Sequence, residues 1–438
     1  MKIISFSPKT AACPYSPIPI DLAYITLQPW VDWLKTQPGV EKVEITGALR
    51  RHCLSLAELD LAVAVDDPSE IQKKLVDHPE VRRVMEDQPD RMVIDIYPGI
   101  PLRIWFQPAN QFGTLLAYTT GSLRHLQDLD HQAQHKGFLF SRWGLTHGGT
   151  VVEIAEEARL YETVGLPHIP PELREGNGEI KAALNGGLPD LVDASDLKSD
   201  LHIHTDWSDG RDSIQTIVET AVRRGLKIAA ITDHSTNHML AGAVSVERIR
   251  DQGVQIRRIE AALEGKLRIL RGIEADILPD GSIDTPEEVL AELDLVVASL
   301  HTTINQPQEV VTARLIRAIQ NPHVDIIAHP SGHLRPYPGA DLDWTAVYQA
   351  AREHHVALEI NSSPEHLDMD DIHAREAVHA GVLIAINTDS HRASQLDRIH
   401  FGLGIARRAW AARQQIINTW EPEQLLSWLN TRSTGAVS

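Results

Sequence analysis

Beyond residue 195 the chain alternates short apolar runs with segments of helical period. The runs are "SDLHIH", "IAAITDH", "RILRGIEAD", "LDLVVASLH", "VDIIAHP", "VALEINSS" and "VLIAINTDSH", and between them lie "SIQTIVETAVRRG", "PEEVLAEL" and "EVVTARLIRAIQ". Strands that are apolar on both faces and separated by amphipathic helices predict a parallel sheet covered by helices, an α/β barrel of seven strands. The earlier part of the chain has a different rhythm. "VEKVEIT", "ELDLAVAV", "RMVIDIY" and "LRIWFQ" read as strands, and Phe112 to Lys136 reads as helical around Gly121, which is an α+β pattern. The Pro- and Gly-rich stretch from Leu166 to Asp200 reads as a connection, so domains are expected at 1–165 and 196–438 with a connector at 166–195.

Charge narrows the range of partners. The chain has 438 residues and a net charge of −19; up to Ser195 there are 18 Lys+Arg against 26 Asp+Glu, and after it 23 against 34. Neither half is a basic module, which argues against a sequence-independent grip on a long duplex. Phosphate chemistry stays open because divalent ions supply local positive field. Cys13 and Cys53 are the only cysteines, so any metal must be held by imidazole and carboxylate. With no apolar run of membrane-spanning length and a proline-broken N-terminus, the cytoplasm is the expected compartment.

The strand ends carry the chemistry. In "DLHIHTDWSDG", His202 and His204 are two residues apart and leave one face if the segment is a strand, and the turn "TDWS" folds Asp209 back toward them. That stretch alone fits a metal site or a polar loop. The other runs end at Asp233 and His234, Glu274 and Asp276, His301, His329, and Asp389 and His391; only "VALEINSS" differs, ending at Asn361. In α/β barrels the carboxyl ends of the strands converge on one face, so these groups are expected at one rim. His238, His333, His354, His355, His366, His373 and His379 fall elsewhere and read as background. These rim donors exceed one ion's shell, so a multinuclear site of manganese, zinc or iron is expected, with Glu274 and Asp389 shared between ions. Closely spaced ions stabilise the attacking and leaving oxygens of an in-line displacement, which makes phosphoester hydrolysis the expected reaction.

"DLHIHTDWSDG", "ITDHS", "GIEADI", "SLH", "AHPSG", "EINSSP" and "NTDSH", in that order, resemble the PHP (polymerase and histidinol phosphatase) domain. The resemblance implies a distorted seven-stranded barrel with three ions. One would be held by His202, His204, Glu274 and Asp389, a second by Asp209, His234 and His391, and a third by Glu274, His301 and His329. Upstream, "VEITGALRRHCLSLAELDLAVAV", "FGTLLAYTTGSLRHLQDLDHQAQHKG" and "YETVGLPHIPPELREGNGEI" resemble the palm, thumb and connector of bacterial family X DNA polymerases, which carry a C-terminal PHP domain. The family's N-terminal DNA-gripping helical region is expected to be absent.

The same resemblance implies a disabled polymerase site. The family's glycine-serine pair is Gly47-Ala48 here, its two-carboxylate strand motif is Glu58-Leu59-Asp60, and its third carboxylate position falls on Pro101. Proline offers no side-chain donor, and magnesium demands near-ideal oxygen coordination, so the site is expected to be empty. Asp95 on the preceding strand reads as an outward residue of a hairpin. Gly121 and Ser122, with Arg50, Arg51 and Arg124 nearby, are residual nucleotide or nucleic-acid contacts, or else solvated. In the PHP half, His333 and His366 stand where the family has arginine, and histidine does not grip phosphate bidentately. The expected function is a metal-dependent phosphoesterase acting on nucleic-acid 3′ ends, with a small phosphomonoester as the alternative substrate. A nucleic-acid or nucleotide binding module comes third, and an active polymerase last.

Overall fold

The computed structural model describes residues 17–235 and 244–433, and the chain divides into two compact units, Met1–Leu188 and Pro189–Ser438. His238 and Cys13 lie outside the described residues.

The second unit is a nearly closed barrel of seven parallel strands in sequential order: Ser199–Asp200, Ile228–Ile231, Arg268–Asp276, Leu295–Ser299, Ile326–Ile327, Ala357–Asn361 and Ile384–Asn387. Alternation sorts their side chains into two cores. Leu201, Ile228, Ala230, Leu270, Val297, Ile326, Ala357 and Ala385 form the inner one, plugged by Leu425 and Leu429 of the helix Pro422–Ser433. Ala229, Ile231 and Ile269 face outward onto Ile214, Ile217, Val218 and Ala221 of the helix Ile214–Arg223 and Ile256 and Ile259 of the helix Val246–Ala262. Each fully buried Leu or Ile contributes about 1.5–3 kcal/mol, so these two layers dominate the unit's stability.

Closure brings the first and last strands together. Asp200 accepts hydrogen bonds from Thr388 N (3.2 Å) and Oγ1 (2.5 Å), His204 N donates to Ser390 O (2.8 Å), and Ile203 pairs with Ser390 in a parallel bridge. The first strand is shorter than "SDLHIH" predicts. It ends at Asp200, and beyond it Leu201 enters the inner core while Ile203 enters the helix-facing one.

In the first unit a five-stranded sheet runs in the order Lys42–Ile45, Leu59–Ala64, Ile100–Gln107, Arg91–Ile96, Val81–Gln88. Leu59–Ala64 and Ile100–Gln107 are parallel, and the other neighbours are antiparallel. The helix Phe112–Thr120 packs Phe112, Leu115 and Leu116 on Ala62, Ala64 and Trp105 of this sheet. Leu166 to Leu188 is not a free connector: Arg174 is fully buried, donating to Glu157 (2.5 Å) and to Ile169 O (2.9 Å), and Glu179 is held by His125 (2.8 Å). Prolines and glycines here shape short helices that fold back on the first unit.

Candidate metal centre

All nine sequence-selected donors of the second unit meet at the carboxyl rim of the barrel. Glu274, on the third strand, is the centre: its Oε1 lies 3.3 Å from His301 Nε2 and 3.1 Å from His329 Nε2, while its Oε2 lies 3.3 Å from the Nε2 atoms of both His202 and His204 and 3.0 Å from His234 Nδ1. Asp389 forms a second focus, with Oδ1 3.1 Å from His204 Nε2 and 3.6 Å from His202 Nε2. Asp209 completes the outer corner, 3.1 Å from His391 Nε2 and 3.7 Å from His234 Nε2.

Local backbone geometry makes this convergence happen. Gly210 lies against the backbone of His204 and Thr205, where a Cβ would meet Thr205 N at 2.6 Å, so only glycine lets the 206–209 turn fold Asp209 onto the imidazoles. His329 and Asp389 sit at positive φ, +27° and +50°, a conformation uncommon for residues with side chains and held here by the surrounding strands.

Three of the imidazoles are oriented by hydrogen bonds on their far nitrogens. His202 Nδ1 is 2.9 Å from Glu359, His301 Nδ1 is 2.6 Å from Asp276, and His391 Nδ1 donates to Asp389 O at 2.9 Å. Carboxylates and carbonyls are acceptors, so each of these rings turns the lone pair of its other nitrogen into the cluster. Asp233, another strand-end carboxylate, serves the loop instead: it accepts from Thr205, Ser208 and Gln252.

Burial drives charges away from a site, and this site resists it. Burial would lower the histidine pKa values, yet Glu359, Glu274 and Asp389 hold His202 well above the usual range, and carboxylates place His234 at about 10 and His301 and His391 at about 9. Burial would raise Glu274 and Asp389, and the imidazoles pull both well below the usual carboxylate range. The donor set thus demands positive charge. The buried Nδ1 atoms of His204 and His329 have no hydrogen-bond partner among the described residues. Among the described residues, four groups have ligand atoms within 4.8 Å of one another: His204, Asp209, His234 and His391; His202, His204 and Asp389; His234, Glu274 and His301; and His329, His366 and Asp389. Mixed imidazole and carboxylate donors suit zinc, manganese or iron, so the residues present fit metal ions.

Two residues extend the sequence reading. Glu359 is fully buried, and besides holding His202 it accepts from His329 N at 2.9 Å. Its signal was a single carboxylate inside the apolar run "VALEINSS". His366, read as background, stacks on His329 with ring centroids 4.5 Å apart and 10° between planes. Burial lowers its pKa to about 4. His373 and His379 do lie apart, the first paired with Asp370 and the second with Arg375 O.

The carboxylates of the first unit are held differently. Arg103 donates to both oxygens of Glu58 (2.8 and 2.5 Å) and to Asp60 Oδ1 at 3.3 Å, so a guanidinium lies between the two side chains. Burial raises Asp60 to about 6. Gly47 approaches so closely that a Cβ there would sit 2.4 Å from Asp60 Oδ2, and Ala48 follows it in the short helix Gly47–Arg50. Pro101 is paired with Asp95 across the sheet. Asp95 is not outward: it is buried, with Oδ2 3.2 Å from Nε of Arg83 on the neighbouring strand Val81–Gln88.

The nearby basic residues are also engaged. Arg50 forms a two-bond pair with Glu157 (2.9 and 2.8 Å) and Arg51 binds Glu175 (2.9 Å), so neither is solvated. Gly121 ends one helix, and the Ser122 hydroxyl caps the next by accepting from His125 N; Arg124 is exposed. No helix among the described residues is long and apolar enough to cross a membrane.

The DNA polymerase beta thumb profile matches residues 115–175 and the PHP domain profile matches residues 200–363. A Bacillus subtilis protein named "DNA polymerase/3'-5' exonuclease PolX" is 35% identical over 382 residues, 86% of this chain and 66% of that protein, so the chain spans just under two thirds of that relative's length. A probable phosphatase of Caldanaerobacter subterraneus is 33% identical over 236 residues, 51% of this chain and 87% of the relative. A probable phosphatase of Shewanella sediminis is 35% identical over 243 residues, 53% of this chain and 94% of the relative. The chain belongs to the PHP domain family, within the group that joins this barrel to a family X polymerase thumb.

Proposed function

We propose that the barrel is a metal-dependent phosphoesterase that trims nucleic-acid 3′ ends, and that the palm of the first unit performs no nucleotidyl transfer. The observation that carries the reading is the division of Glu274, with one carboxylate oxygen facing His301 and His329 and the other facing His202, His204 and His234. A carboxylate so placed would be shared between ions. His202, His204, Glu274 and Asp389 would hold one ion, Asp209, His234 and His391 a second, and Glu274, His301 and His329 a third. When bound, manganese, zinc or iron would supply Lewis-acid stabilisation of charge on phosphoryl oxygens.

The chain's own residues fix orientation and access. Glu359 and Asp276 hold His202 and His301 in the tautomers that turn Nε2 inward. His202 and His204 are fully buried, whereas His391 and Asp209 are about one-third exposed (31% and 33%), so a phosphate enters from the Asp209–His391 corner. The thumb match and the Bacillus relative favour a DNA 3′ end as substrate. The small phosphomonoester reading rests on His333 and His366 replacing the expected arginines and on the probable phosphatases that match the barrel alone.

Hydrolysis of a 3′-labelled oligonucleotide and of a panel of phosphomonoesters, in manganese and in zinc, separates the two. Faster release of nucleotides from the oligonucleotide is expected, with Asp389→Ala lowering the rate by orders of magnitude. Turnover of phosphomonoesters alone would replace the substrate assignment, and activity that survives both chelation and Asp389→Ala would overturn the metal-dependent reading.

A further inference from the structure

We propose that His366 is an additional metal ligand of the rim, its Nε2 joining His329 and Asp389 around a divalent transition-metal ion. The inference rests on the reading of the rim as a metal centre and extends the donor set from nine residues to ten.

Three observations carry it. His366 and His333 clamp each other across two loops: His366 Nδ1 donates to His333 O at 2.6 Å, and His333 Nδ1 donates to His366 O at 2.5 Å. A carbonyl only accepts, so the Nδ1 of His366 carries its proton, and in the neutral ring Nε2 presents a lone pair. That lone pair faces Asp389 Oδ2 at 3.7 Å. This is the arrangement of His202, His301 and His391, each with Nδ1 anchored to an acceptor and Nε2 aimed at a carboxylate of the cluster. Anchoring the far nitrogen to a carbonyl or carboxylate is how proteins orient metal-binding histidines.

Asp389 supplies the second observation. Its Oδ1 faces His202 and His204, while its Oδ2 faces away from them, receives Asn361 Nδ2 at 3.2 Å and points at His366. Two lone-pair atoms confronting each other at 3.7 Å repel unless a cation lies between them. The third is the near-parallel stacking of His366 on His329, which aligns the edges of two imidazoles beside that oxygen; ligand atoms of the three residues fall within 4.8 Å of one another.

The replacement of the expected arginine thereby acquires a chemical meaning. A guanidinium at this position would meet phosphate directly, whereas an imidazole lone pair holds an ion that meets phosphate in its place.

The test uses the full-length protein loaded with manganese, zinc or cobalt(II). His366→Asn preserves a donor near the Nδ1 position for His333 O and removes Nε2, while His366→Gln keeps a side-chain oxygen near Nε2. Elemental analysis and chelator competition should show the Asn variant, with an unchanged circular-dichroism melt, losing an ion or binding it about tenfold or more weakly. Its cobalt absorption bands should shift, and the Gln variant should recover part of the affinity. In the wild-type protein, metal should protect His366 from acylation by diethylpyrocarbonate, mapped by mass spectrometry, a readout independent of variant folding. A folded Asn variant with wild-type ion count, affinity and cobalt spectrum would overturn the inference, as would His366 acylated equally with and without metal. A wild-type protein holding no metal would instead overturn the metal-centre reading on which it rests.

Discussion

The rim of the barrel and the strand face of the palm both gather carboxylates, and they resolve the resulting charge in opposite ways. At the rim, Glu274 and Asp389 are surrounded by imidazoles, and those of His202 and His301 are anchored on the far nitrogen so that the near one offers a lone pair. At the palm, Glu58 and Asp60 are compensated by the fixed cation of Arg103, a group that offers protons and no lone pair. Carboxylates therefore do not by themselves make a metal site. What decides is whether their neighbours are ligands that need a cation or a cation that has already replaced it.

The largest way to sharpen this contrast is Glu359→Gln. The amide oxygen still accepts from His202 Nδ1 but the negative charge that raises the ring's basicity is gone, so metal affinity should fall by roughly 10–100-fold in chelator competition. An unchanged affinity would mean that the orienting carboxylate contributes nothing and that the rim works through its inner donors alone. A smaller effect is expected at the palm. Arg103→Ala leaves Asp60, 7% exposed, without its guanidinium, and should destabilise the first unit by about 1–3 kcal/mol in urea unfolding while hydrolysis by the barrel is unchanged. Gain of magnesium-dependent primer extension in that variant would show that Arg103, rather than the loss of a ligand at Pro101, silences the palm.

The barrel was more legible in the sequence than the palm for a physical reason. Parallel strands buried on both faces leave continuous apolar runs, and the donors stand where those runs end, as at "SLH" and "AHP". The first strand shows the limit of that reading, because regular strand pairing stops at Asp200 and Leu201 and Ile203 enter different cores although their spacing places them on one face. Glu359 and His366 escaped because one lies inside a strand rather than at its end and the other on a loop, and only tertiary packing brings them to the rim. In the first unit the strand Val81–Gln88, "VRRVMEDQ", is a polar edge with little apolar alternation, so it left no periodic signal. Arg83 on that strand meets Asp95, which is buried rather than outward. Arg50 and Arg51 looked free because their partners, Glu157 and Glu175, are more than a hundred residues away.

The central claim, that the rim and not the palm holds the ions, is tested most directly by counting metal in the purified full-length protein and two variants. The account predicts two or three transition-metal ions per chain in the wild type, the same count in Glu58→Ala with Asp60→Ala, and a lower count in His301→Ala with His329→Ala. No metal in the wild type, or ions lost from the palm variant and retained in the rim variant, would contradict it.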